Sequence, residues 1–199
     1  MSLLHRRLCL LFTPELCTGR PWHTLEEALA GGVDLVQWRV PSPDVEGLQR
    51  CMEICAEHSV PVLVNDDVMA AIRARAHGAH VGQEDMPAPV ARRLLGDSWL
   101  GVSTHDLAQV QRAAHDGADY VGFGPCYPTA TKGYEHGLPP SVIEEAVHES
   151  PVPVFAIGGI RPNNVNLLVG LGVKRVAVSS AILQAENPRA VAEDLLGRW

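Results

Sequence analysis

Four groups of residues in this 199-residue chain have types and spacings suited to chemistry. The first is a pair of carboxylates, Asp66 and Asp85, each just after a short apolar run. Hard oxygens from two places, leaving positions for water and phosphate, suit Mg²⁺. The bland alternatives are a helix cap at Asp66 and a loop acid at Asp85. The second is the loop "GPCYPTATK", residues 124–132, which follows the apolar "DYVGF". It carries Thr129, Thr131 and Lys132, and only two of the sixteen basic residues are lysines, Lys132 and Lys174. Gly124, Pro125 and Pro128 keep it from becoming helix. The third is the pair "AIGGI" and "RVAVSSAI", residues 156–160 and 175–182. Gly-rich backbone and a helix start offer N–H groups to a phosphate. The fourth is a set of polar residues that close other apolar runs: Gln37 and Arg39, Asn65, and Ser103 with Thr104 and His105.

The nine histidines form no convincing metal set. His77 and His80, in "HGAH", span a helix end and a strand start, and a structural role is expected for both. His105 and His136 fall nearer the polar ends.

These groups need elements to hold them together. Short continuous apolar runs recur at 9–13, 34–40, 60–65, 78–82, 99–103, 119–124, 152–158 and 175–180. Continuous rather than alternating runs are expected of strands buried on both faces of a parallel sheet. Between them lie helix-like segments. Thr24, Asp44, Asp66 and Asp106 are candidate N-caps, and Gly78 and Gly117 candidate helix-end glycines. Eight strand–helix units without a linker predict an α/β protein. The architecture expected is one single-domain (β/α)8 TIM barrel over residues 1–199. A doubly wound open sheet is the alternative. In such a barrel the strand C-termini share one pocket, which gathers all four groups.

Composition narrows the partners. A formal charge of −7 argues against a nucleic-acid binder. Five cysteines without framework spacing read as reduced thiols, and Cys51 and Cys55 as helix-packed ones, in a cytoplasmic protein. The apolar run near the start is too short for a secretory signal, and no run reaches the ~18 residues of a membrane span.

Aligned by strand, the chain resembles the thiamine phosphate synthase family. The matches are "GGVDLVQWR", "VLVNDD", "GAHVGQEDMP", "GVSTHDLAQV", "GADYVGFGPCYPTATK", "VFAIGGI" and "RVAVSSAI". The family couples hydroxymethylpyrimidine diphosphate to a thiazole phosphate and releases diphosphate. The resemblance implies a dissociative route, in which the protein mainly positions the reactants and stabilises charge. It implies Asp66 and Asp85 as Mg²⁺ ligands. Arg39, Asn65 and Lys132 would hold the diphosphate, and Gln37 and Ser103 the pyrimidine. Thr129 and Thr131 would surround the thiazole phosphate, with Gly159 and Ser180 beneath it. Arg39, Lys132 and Ser103 are the expected catalytic groups, and homo-oligomerisation is a further expectation.

The chain departs from the family where Glu and Lys usually follow the strand-two arginine: here stand Val40 and Pro41. Losing one preorganised charge partner costs roughly 100- to 1,000-fold in rate. Arg161 is a candidate replacement cation. Two other readings follow. A thiazole tautomerase shares the fold but uses a histidine after the strand-six Gly, where this chain has Pro125. A weak paralogue would bind thiazole or thiamine phosphate without turning it over.

Overall fold

A computed structural model describes residues 3–129 and 135–199. Eight strands, β1 (Leu8–Phe12), β2 (Leu35–Trp38), β3 (Val62–Asn65), β4 (Gly78–Val81), β5 (Trp99–Thr104), β6 (Tyr120–Phe123), β7 (Val154–Ile157) and β8 (Val176–Val178), alternate with helices. The strands pair in sequence order and β1 also pairs with β8, all parallel, so the sheet closes into a barrel. The open doubly wound sheet is thereby excluded.

The continuous apolar runs resolve into two faces. Leu10, Phe12, Val36, Trp38, Val64, Val81, Val102 and Phe123 pack outward against the helices. Cys9, Leu11, Leu35, Leu63, Tyr120, Phe155 and Ala177 fill the barrel interior. Because side chains alternate along each strand, Gln37 and Arg39 share the inward phase of Leu35. Asn65 shares that of Leu63, with which it brackets Val64.

The helices are α1 (Pro21–Ala30), α2 (Val45–Glu57), α3 (Val68–Ala74), α4 (Ala88–Leu95), α5 (Leu107–His115), α6 (Pro140–Glu149), α7 (Val165–Gly170), α8 (Ser180–Leu183) and α9 (Pro188–Leu196). Asp44 and Asp106 cap α2 and α5, accepting from the Gly47 and Gln109 N–H groups at 2.9 and 2.7 Å. Two expected caps move. Thr24 lies inside α1, which starts at Pro21 because proline's fixed φ and missing N–H suit a first turn. The cap of α3 is Asp67, not Asp66: its carboxylate accepts from the Ala70 N–H at 2.7 Å. Gly117 is left-handed (φ 93) just past α5, as expected. Gly78 instead opens β4, and Arg75 (φ 57) takes the left-handed position after α3.

All five cysteines are free thiols, and Cys51 and Cys55 are fully buried on α2. Among the described residues no helix is long and apolar enough to cross a membrane.

Candidate active site

The C-terminal ends of the strands surround a cavity. Gln37, Arg39, Asn65, Ser103, Thr129, Gly159 and Ser180 all line it. Seven residues named from the sequence therefore converge from five strand ends and the loop after β6. Thr131 and Lys132 lie outside the described residues.

Local folding explains the placement. The Arg39 N–H donates to Phe12 O at 2.9 Å, which carries the β1–β2 ladder one residue past the strand and keeps Arg39 at the rim. The loop after β6 is tied to β7: Cys126 N–H donates to Ile157 O at 2.8 Å and Tyr127 N–H to Gly158 O at 3.0 Å. Those bonds bring Thr129 over the turn after β7. That turn holds two left-handed glycines, Gly158 (φ 99) and Gly159 (φ 62). Asn164 staples it, donating to Gly159 O at 2.9 Å and accepting from the Arg161 N–H at 2.8 Å. The Tyr127 hydroxyl donates to Asn164 O at 2.7 Å, joining the loop to the staple.

At the end of β8, Ser179 lines the cavity beside Ser180. Its Oγ is buried and has no hydrogen-bond partner among the described residues. A buried hydroxyl left unsatisfied costs about 1–3 kcal/mol, so a ligand oxygen here would be stabilising. Arg161 is exposed and is not among the residues that line this cavity. His136 is exposed and also absent from the lining.

The carboxylate pair sits outside this cavity. Asp66 follows β3 in a left-handed conformation (φ 64), and its N–H donates to His80 O at 2.7 Å. It lines a neighbouring groove between the starts of α2 and α3, to which Asn65 also contributes. With Asp67 as the helix cap, the bland role expected for Asp66 is filled by its neighbour. Asp85 accepts from the Gly82 N–H at 2.7 Å and lines neither space. Val40 and Pro41 face the groove, not the cavity.

Three further residues line the cavity; Thr104 and His105 were among the polar strand ends named from the sequence, and His80 was not. His105 Nδ1–H donates to Gly124 O at 2.6 Å. Thr104 Oγ1 donates to Gly122 O at 3.2 Å. His80, expected to lie away from the active face, lines the cavity floor. Its Nε2 is 2.9 Å from Ser103 Oγ and its Nδ1 2.9 Å from the Tyr120 hydroxyl. The missed signal was register: His80 pairs with Asn65 on β3, so the two share a level of the barrel. His77 does lie at the opposite end, accepting from the Val62 N–H at 3.2 Å.

Comparison with known proteins places this geometry. Residues 8–182 match the family model described as thiamine monophosphate synthase. The chain is 42% identical over 197 residues to a thiamine-phosphate synthase of Synechococcus sp. (strain WH7803), covering 96% of this chain and 56% of that protein. It is 38% identical over 177 residues to one from Methanobrevibacter smithii, covering 86% and 85%. The chain thus spans about half the length of the cyanobacterial relative and most of the archaeal one. A solved thiamine phosphate pyrophosphorylase from Pyrococcus furiosus superposes with a TM-score of 0.87 at 28% identity, covering 96% of this chain and 94% of that one.

Proposed function

The chain belongs to the thiamine monophosphate synthase family, and on that premise we propose that it is a transferase of thiamine biosynthesis. It joins hydroxymethylpyrimidine diphosphate to thiazole phosphate and releases diphosphate. The observation that carries the reading is the convergence of Gln37, Arg39, Asn65, Ser103, Thr129, Gly159 and Ser180 on one cavity.

Roles follow from position and chemistry. Arg39, a permanent cation at the rim, and Asn65 hold the diphosphate, with Lys132 completing the clamp from the loop. As the bond to diphosphate breaks, negative charge grows on the leaving oxygens, and fixed cations there lower the barrier. Gln37 and Ser103 orient the pyrimidine so that its methylene carbon faces the thiazole nitrogen. Thr129 and Thr131 cover the thiazole phosphate, and Gly159, Ser179 and Ser180 seat it.

In this reading Asp66 and Asp85 would hold Mg²⁺. Among the described residues no group of three or more His, Cys, Asp or Glu forms a metal cage. Mg²⁺ needs none: it commonly takes one or two carboxylates and completes its shell with water and substrate phosphate. Bound there, it would supply positive charge to the diphosphate beside Asn65. The protein is cytoplasmic in this reading, and self-association is part of the expectation.

The lost strand-two cation favours a second reading, a weak paralogue that binds thiazole or thiamine phosphate. One experiment separates the two. Purified protein is incubated with both substrates and Mg²⁺, and diphosphate is measured. Release that disappears on chelation and in Asp85→Ala supports the synthase. Absence of release, with thiazole phosphate still bound in calorimetry, supports the paralogue.

A further inference from the structure

The groove beside the cavity holds a cation with no role in the assignments above. Val40, Pro41, Asn65, Asp66 and Arg73 all line it. Asn65 also lines the cavity, so the two spaces meet at the residue assigned to the diphosphate. Val40 and Pro41, where the strand-two cation is missing, open on the groove. Among the described residues that line it, Arg73 is the one cation. Without Arg73 the groove presents Asp44, Asp66 and Asp67 and no positive side chain, a field that repels phosphate.

Helix geometry brings Arg73 to that place. α3 begins at Val68, directly after Asp66 and Asp67. Arg73 starts five residues along, about 7.5 Å down the helix axis. Helical side chains lean toward the N-terminus, so its arm runs back toward the strand ends. Its Nη2 stands 3.9 Å from Asp67 Oδ2. The guanidinium thus reaches the cap of α3, beside Asp66.

Asp67 does not hold it fast. The two side chains keep 67% and 42% of their surface exposed, and exposed pairs at such a distance contribute little. The other oxygen of Asp67 is engaged by the Ala70 N–H at 2.7 Å. A diphosphate at Asn65 carries several negative charges, and a planar guanidinium takes phosphate oxygens in pairs. It is the stronger partner.

We propose that Arg73 binds the diphosphate, as a cation supplied from α3 through the groove in place of the one missing after strand two. It meets the outer phosphate, the end farther from the pyrimidine, while Arg39 stays at the cavity rim. This rests on the synthase reading.

The test measures inorganic diphosphate binding with Mg²⁺ by calorimetry, beside KM for hydroxymethylpyrimidine diphosphate and affinity for thiazole phosphate. Arg73→Gln is expected to weaken inorganic diphosphate and raise that KM at least tenfold. Thiazole phosphate affinity should stay within threefold, since that ligand is assigned to β7 and β8. Arg75→Asn is the control. Arg75 is exposed, lies outside the groove lining and is left-handed (φ 57), a conformation Asn tolerates. The change removes the same charge from the end of the same helix and should alter diphosphate binding less than twofold. Pro41→Lys returns a cation to the groove. It should recover most of the loss in the Arg73→Gln protein and gain less in wild type, as two cations serving one ligand are not additive. A disturbed helix would not be repaired from position 41. Diphosphate affinity within twofold of wild type in Arg73→Gln overturns the role of Arg73 and leaves the synthase reading intact. So do equal losses in Arg73→Gln and Arg75→Asn, or no recovery by Pro41→Lys. A wild type that binds neither inorganic diphosphate nor the pyrimidine diphosphate overturns both.

Discussion

Replacing Gly159 by alanine should damage the phosphate end of the site through two separable effects. Gly159 has φ 62, a left-handed conformation that costs an L-residue roughly 1–2 kcal/mol. Its new Cβ would also lie 2.5 Å from Pro128 O and 2.8 Å from Tyr127 Cβ. Backbone oxygen is not a flexible side-chain end, so the loop must shift. That loop leads directly into Thr129, so the turn and its covering threonine are displaced together. A total near 2–3 kcal/mol is expected. For a chain of this size, each kcal/mol shifts Tm by about 2–4 °C, which puts the loss between roughly 4 and 12 °C. Thiazole phosphate affinity should fall at least tenfold, about 1.4 kcal/mol. Gly170→Ala is the control. It closes α7 with nothing within 4 Å of its added Cβ and no positive φ, so it should leave affinity unchanged and gain up to about 1 kcal/mol of stability. Calorimetry and thermal unfolding read both. A Gly159→Ala protein with wild-type Tm and affinity would refute the placement of this turn under the phosphate.

The neighbouring aspartates should separate function from folding: Asp67→Ala loses about 1 kcal/mol of stability with its cap, while Asp66→Asn, which tolerates the left-handed backbone at this position, loses Mg²⁺-dependent turnover with a smaller loss of stability. Steady-state rates and unfolding curves on the pair check this. Lys132→Ala should abolish nearly all synthase activity, because Val40 and Pro41 leave few other cations for the departing diphosphate; activity within about threefold of wild type would remove Lys132 from the clamp. Native thiol labelling at pH 8 should reach half-buried Cys17 first, since burial pushes Cys126 up to about 12, leaving roughly one thiolate in 10⁴. Mass mapping that finds Cys126 modified earliest would contradict its burial. Desolvation lowers the His77 pKa in the folded protein. The unfolded chain then binds the extra proton first, so stability at this site is present above about pH 6.5 and falls as pH drops below it. Urea unfolding at pH 7.5 and 5.5 should show a smaller acid loss in His77→Gln.

The barrel was legible because burial on both strand faces leaves continuous apolar runs, eight times over. The cavity set followed, since polar residues that end such runs must share one rim. What sequence could not resolve was phase and one-residue offsets. Asp66 and Asp67 are equally good capping residues, and only backbone conformation assigns the cap to Asp67. His80 sits mid-strand in "HGAHVG", where its inward direction depends on register against β3. Tyr120 looked like one more apolar strand residue, and its hydroxyl meets His80 only because Gly101 and Gly122 leave the space.

The most direct test of the central claim is product stoichiometry. With hydroxymethylpyrimidine diphosphate, thiazole phosphate and Mg²⁺, the protein should form thiamine phosphate and diphosphate in a one-to-one ratio, and neither when thiazole phosphate is omitted. No thiamine phosphate from protein that binds both substrates would contradict the assignment of this barrel as a synthase.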